Sequence, residues 1–341
     1  MRGMLLAACL VMGLCTGAPA GASRTLDAPD GKNWTHGATH LALPPAIGTL
    51  KRSGIVDSGT AELDIMAQYA TPDSATILTA YLFRPALASA AIWFDRSQAM
   101  IEARDIYQGV TAVTSAPIAF ARPGSGTKDV LRRTYVPRGG AYRSTALAMI
   151  PVGNWLFALR ISSTAMDDAA MDALLDTAIA GVAFPANTPA GPAAAAVAGC
   201  AEPLYFSKAS AVKPDMSLVL LAATQETMRG GGDGAADAGA WCREASDTVA
   251  YGIYRHPGEK DRYVIALGDA GIVASVSPEV PLLMRKPGVF VTLRELDGSR
   301  IYPAFDHLPS PDQAIDLVMH GAPLASVRDK AISLDSSLMS K

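Results

Sequence analysis

The chain has 341 residues, half of them hydrophobic, with 29 basic against 32 acidic side chains and a net charge of −3. So even a balance gives no electrostatic reason to expect a nucleic-acid partner. The length accommodates two cores of ordinary domain size.

Arg2 precedes an apolar run from Met4 to Cys15, and the small-residue segment Ala18-Pro-Ala-Gly-Ala22 follows. This is the layout of a secretory signal peptide, so residues 1–22 are expected to be removed after Ala22. Loss of Arg2, the one charged residue of that segment, takes the net charge from −3 to −4. The run is too short for a spanning helix, which needs about 20 apolar residues. Too little apolar chain precedes Cys9 for the Leu6-Ala-Ala-Cys9 pattern to direct lipidation. Later apolar runs, such as Ala193 to Ala198, are also too short, so no stable membrane span is expected after cleavage, and the location is read as periplasmic or secreted.

Cleavage removes Cys9 and Cys15 and leaves Cys200 and Cys242. In an oxidising compartment an isolated pair is expected to be bridged. A C-x-x-C redox motif is absent, and no histidines lie near enough in sequence to suggest zinc.

Residues 23–59, rich in Gly and Pro, read as an extended N-terminal segment. Leu63-Asp-Ile-Met-Ala-Gln-Tyr69 alternates as a strand does, Thr71-Pro-Asp-Ser74 signals a turn, and Thr76 to Phe83 is a second β-rich run, together a hairpin. From Pro85 the period changes, and an amphipathic helix is predicted from Leu87 to Tyr107. Strands follow around Ala116 to Arg122, Val130 to Val136, Tyr142 to Ile150 and Trp155 to Ile161, the last two paired across Gly153-Asn154. A helix capped by Ser163 or Thr164 then carries an apolar stripe through Met166, Ala170, Leu174, Ala178 and Val182.

This order predicts an α+β fold, an antiparallel sheet packed with helices over residues 60–185. The Gly139-Gly140 turn, the strand to Ile150, Gly153-Asn-Trp155, the aliphatic strand to Ile161 and the Leu-Leu helix that follows resemble the second half of PsbP/DcrB-type α/β/α domains. The resemblance implies a small accessory or binding module without enzymatic activity, and carries no site residues with it.

Residues 186–199, Ala- and Pro-rich, read as a linker. Residues 200–341 are expected to form a second, smaller α+β domain pinned by Cys200 and Cys242. Its helix is predicted from Pro214 to Arg229 with Met216, Val219, Leu220, Ala223 and Thr227 inward, followed by a flexible Gly-rich loop from Gly230 to Gly239. Strands are predicted at Thr248 to Tyr254, Asp261 to Leu267, Gly271 to Ser277, Val289 to Leu296 and Arg300 to Phe305.

Motifs for chemistry are scarce. His36 and His40 stand four apart in a stretch that reads as loop, and His256, His307 and His320 read as solvated surface residues. There is no G-x-S-x-G elbow, and Gly124 to Lys128 lacks phosphate-loop spacing. No catalytic, cofactor-binding or metal-ligating residue is assigned, and no cofactor is implied. The one charge feature is a basic set including Arg132, Arg133, Arg138 and Arg143, which would bind a carboxylate or phosphate if strand pairing gathered it on one face and is otherwise an ordinary solvated face. The functional expectation is a non-enzymatic binding or accessory protein of the cell envelope, its partner an envelope protein or small anionic ligand. The alternative is an envelope hydrolase whose site forms only in the fold.

Overall fold

The computed structural model describes residues 23–122, 124–230, 239–278 and 288–338. The expected signal peptide lies outside them, as does the Gly-rich loop over residues 231–238.

Ten strands form the first sheet, all antiparallel. Its long members are β1 (Leu50–Asp57), β2 (Asp64–Ala70), β3 (Thr76–Phe83), β4 (Val130–Pro137), β5 (Ser144–Val152) and β6 (Trp155–Ser163), in the spatial order β1-β2-β3-β6-β5-β4. The β2–β3 hairpin turns through Ser74 at φ 58°, and β5 meets β6 from Val152↔Trp155 onward across Gly153. Helix α1 (Ala90–Glu102), capped by Ser89, buries Ile92, Trp93 and Ile101 on one face of this sheet. Helix α2 (Asp168–Gly181) buries Met171, Leu175 and Ile179 on the other. Its cap is Asp167, because β6 continues to Ser163, whose hydroxyl receives the Ala165 and Met166 N–H groups instead. At about 1.5–3 kcal/mol per buried large apolar side chain, these two helix faces are a major part of the first sheet's stability.

The nine-stranded second sheet is a meander of β7 (Tyr251–Arg255), β8 (Tyr263–Leu267), β9 (Ile272–Pro278), β10 (Val289–Arg294), β11 (Gly298–Ile301), β12 (Ala325–Arg328) and β13 (Ala331–Leu334). Two short strands at its margin, Ala198–Gly199 and Cys242–Arg243, pair in parallel. Helix α3 (Met216–Gly230) covers Phe290, Ile301 and Val327 on one face, while α4 (Pro311–His320) packs at the core that holds Ile265, Ala274 and Val291 on the other. Val219 and Ala223 of α3 point inward as expected, but Met216 and Leu220 are exposed.

These proportions overturn the expected α+β class. Strands hold 35% of the described residues and helices 19%, with four α-helices among them, so the chain is mostly β, built on two large antiparallel sheets. The excess of strand comes from stretches with weak alternation that pairing nonetheless recruits. Leu50–Asp57, read as part of an extended segment, is an eight-residue strand whose alternation is broken by a register shift between Arg52 and Gly54. Ala325–Arg328 and Ala331–Leu334, a pair of strands not expected from the sequence, extend the second sheet as a hairpin.

The Ala- and Pro-rich stretch is tied down rather than free. Gly191 N–H donates to Asp129 Oδ2 at 2.8 Å, Arg122 donates to the Thr188 and Pro189 carbonyls, and Ala194 N–H to the Lys128 carbonyl, before Ala198–Gly199 joins the second sheet.

The sheets meet at α1. Tyr254, Ala266 and Val273 of the second sheet share one apolar cluster with Trp93, Phe94 and Leu156 of the first. Gly271, at φ +82°, fits between them, since a Cβ there would stand 2.9 Å from Leu296 and 3.1 Å from Phe83.

Candidate functional site

The segment between Cys200 and α3 runs over the second sheet and is fixed point by point. The Phe206 ring meets Tyr263 edge-on at 5.7 Å. Ala209 is clamped by the Gln313 side chain, which accepts its N–H at 3.1 Å and donates to its carbonyl at 2.9 Å. Gln313 is itself part of the capping box that starts α4 with Ser310. Ser210 and Asp306 are joined twice, Asp306 N–H to the Ser210 carbonyl and Ser210 N–H to Asp306 Oδ1, and Val212 N–H donates to the Ala304 carbonyl. Asp215 then accepts from the Ser217 and Leu218 N–H groups and opens α3.

This path leaves a cavity of about 600 Å³ between the segment, the start of α3 and the sheet. Val212, Pro214, Leu218, Val219, Phe290 and Leu324 give it apolar walls, and Lys213, Asp215 and Asp306 bring charge. Gly288 lines it as well: a Cβ there would approach Ala304 Cβ to 2.9 Å. The volume falls within the range of small-molecule pockets.

Beside the cavity Asp306 extends a chain of polar contacts. Its Oδ1 lies 2.7 Å from His307 Nδ1, and His307 Nε2 lies 2.8 Å from Ser207 Oγ. The backbone bond from Ser210, with His307 close by, holds the Asp306 carboxyl below its ordinary pKa.

The basic set does not converge. Arg132 and Arg133 are neighbours on β4, so pleating sends them to opposite faces. Arg132 pairs with Asp176 and Asp172 of α2 and lies over the Phe120 ring. Arg133 reaches Gln98 of α1 and the Thr114 and Ser115 carbonyls. Arg138 donates to Thr111 Oγ1, and Arg143 to the Ala165 carbonyl. Pairing therefore does not gather these arginines on one face, which was the condition for an anion site. Cys200 and Cys242 form a disulfide with Cα atoms 4.8 Å apart. Among the described residues no group of three His, Cys, Asp or Glu side chains is placed to hold a metal ion. His36 is buried, with Nδ1 on Thr39 Oγ1, Nε2 on the Glu62 carbonyl and its ring against Trp155, which makes the N-terminal stretch part of the core.

His307, expected as a solvated surface residue, is partly exposed but bonded to Ser207 and Asp306, neither of which the sequence marks. A hundred residues separate serine from histidine, and nothing local marks them. Comparison with protein-family models, curated proteins and solved structures finds no match.

Proposed function

We propose that this chain is a binding protein of the cell envelope that holds a small, largely apolar molecule in the cavity beneath the start of α3. The observation that carries the reading is the cavity itself, about 600 Å³ with apolar walls and charge from Lys213, Asp215 and Asp306. Such a site removes most of a small apolar ligand from water while charged groups orient any polar end.

Secretion of the chain is supported by the Cys200–Cys242 disulfide and by the leader-like first 22 residues. No described helix is long and apolar enough to cross a membrane. The likeness of residues 60–185 to PsbP/DcrB-type domains supports an accessory role for the first sheet.

Titration with the neutral fluorophore N-phenyl-1-naphthylamine tests the reading. Saturable binding at one site, weakened about tenfold or more in Leu218→Trp with circular dichroism unchanged, is the expected result, a loss of about 1.4 kcal/mol. Binding that is non-saturable, or equal in the variant, would overturn it.

A further inference from the structure

We propose that Ser207 is the nucleophile of a second activity, the hydrolysis of carboxylic esters with an apolar acyl group, with His307 as its general base. The 2.8 Å contact between Ser207 Oγ and His307 Nε2 and the 2.7 Å contact between His307 Nδ1 and Asp306 Oδ1 align nucleophile, base and orienting carboxylate in one line. A ring nitrogen facing a carboxylate carries the proton, so Nδ1–H donates to Asp306. The free lone pair on Nε2 then accepts from the Ser207 hydroxyl.

Both sides of the line are held by backbone. Phe206, anchored on Tyr263, and Ala209, clamped by Gln313, flank Ser207. The two hydrogen bonds between Ser210 and Asp306 fix the two stretches of chain against each other. His307 and Asp306 are 44% and 49% exposed, so an ester and the second substrate, water, reach them directly. Asp306 also lines the cavity, one imidazole ring away from Ser207, and the acyl group is assigned to that cavity.

The steps balance without a cofactor. Ser207 Oγ attacks the ester carbonyl carbon, and its proton moves to His307 Nε2. The tetrahedral adduct collapses, the bond to the alcohol oxygen breaks, and His307 returns the proton to that oxygen. Water, deprotonated by the same nitrogen, then attacks the acyl-serine; the bond to Ser207 Oγ breaks, His307 returns the proton to that oxygen, and the carboxylic acid leaves. Asp306 touches none of the reacting atoms and acts on them through His307 as a positioning residue. The choice of an apolar acyl group rests on the cavity reading, whereas the nucleophile does not.

The full chain, carrying its disulfide, is treated with a rhodamine fluorophosphonate and mapped by peptide mass spectrometry, beside turnover of p-nitrophenyl acetate and octanoate. Expected are a label on Ser207, octanoate preferred, and both label and turnover lowered about 100-fold or more in Ser207→Ala and His307→Gln. The substituted side chains are at the surface, and circular dichroism checks that the variants fold. In Asp306→Asn kcat falls about tenfold or more and Asp306→Glu recovers part of it, because a carboxylate there holds the ring tautomer that Ser207 needs. An unlabelled Ser207, or a label undiminished in His307→Gln, would overturn the nucleophile even where the naphthylamine binds. Equal turnover of the two esters would overturn the acyl assignment, and an unchanged kcat in Asp306→Asn, or no recovery in Asp306→Glu, would remove Asp306 from its role.

Discussion

Arg96, wholly buried in α1 of the first sheet's layer, donates from Nε to the Gly268 carbonyl oxygen of the second sheet at 2.8 Å. The same guanidinium reaches the Val249 carbonyl, and the adjacent Asp95 accepts from Tyr254 and Arg243. Two consecutive residues of one helix thus join the sheets through polar bonds within an apolar cluster. Removing the side chain strands two carbonyls and leaves a void. Arg96→Ala is expected to lower unfolding free energy by about 3 kcal/mol, measured by urea denaturation. A change below about 0.5 kcal/mol would mean that the contact adds nothing to stability.

Two buried groups give opposite responses to acid. Burial lowers the pKa of His36 below its ordinary 6.5, so the folded chain keeps it neutral. Its stabilising contribution is present above pH 6.5 and fades as pH falls from there through the folded value, since the unfolded chain takes up the proton first. Burial, then the charges of Asp57 and Asp269, raise Asp64 from 3.8 to about 6. Its contribution is full below pH 3.8 and is lost as pH rises through about 6. The charges around Asp64 include Arg24 on Asp57 and Arg160 on Asp269. Asp64→Asn is therefore expected to stabilise the protein by about 2 kcal/mol at pH 7.5 and to change little at pH 3.5. Melting temperatures of both proteins across pH 3.5 to 7.5 check this.

Opening the Cys200–Cys242 bridge releases a loop with a sequence separation of 42. The chain-entropy relation gives a loss of about 4 kcal/mol for such a loop. Denaturation of the Cys200→Ser, Cys242→Ser double variant measures it, and two free thiols in protein taken from its own compartment would show that the bridge does not form there.

Asp129 holds the Ala- and Pro-rich stretch through Gly191 and lies beside buried Arg122. Asp129→Ala leaves a buried guanidinium without its carboxylate, and the stretch loses its tether. Limited proteolysis is expected to cut residues 186–199 at least several-fold faster in the variant, and equal rates would mean that the other contacts suffice.

What was legible in the sequence is what neighbours in the chain decide. Gly153-Asn154 announces the reversal between β5 and β6, and the change of period after Pro85 announces α1. The strand Leu50–Asp57 escaped because Lys51, Arg52 and Ser53 form a polar run and the shift at Gly54 breaks its period. Its strand character comes from pairing with β2, a tertiary effect. Helix α4 was missed although Ser310, Pro311 and Gln313 spell a capping box with proline in the first turn, a signal that local reading could have used. The arginines leave two readings open in the sequence. Their shared sign suggested a patch, while the two-residue period of β4 places Arg132 and Arg133 on opposite sides. Ser207 and His307 meet only because the Ser210–Asp306 pairing brings two distant stretches into register, which no window of sequence contains.

The parallel pairing of Ala198–Gly199 with Cys242–Arg243 places the disulfide where the chain leaves the first sheet for the second. Tension between the two sheets would therefore cross from Gly199 through the paired sulfurs to Arg243 and bypass the backbone of residues 201–241. The wall of the cavity supplied by α3, and Ser207 with it, sits on a covalent side loop, so a pull transmitted along the chain from one sheet to the other would leave that backbone unloaded.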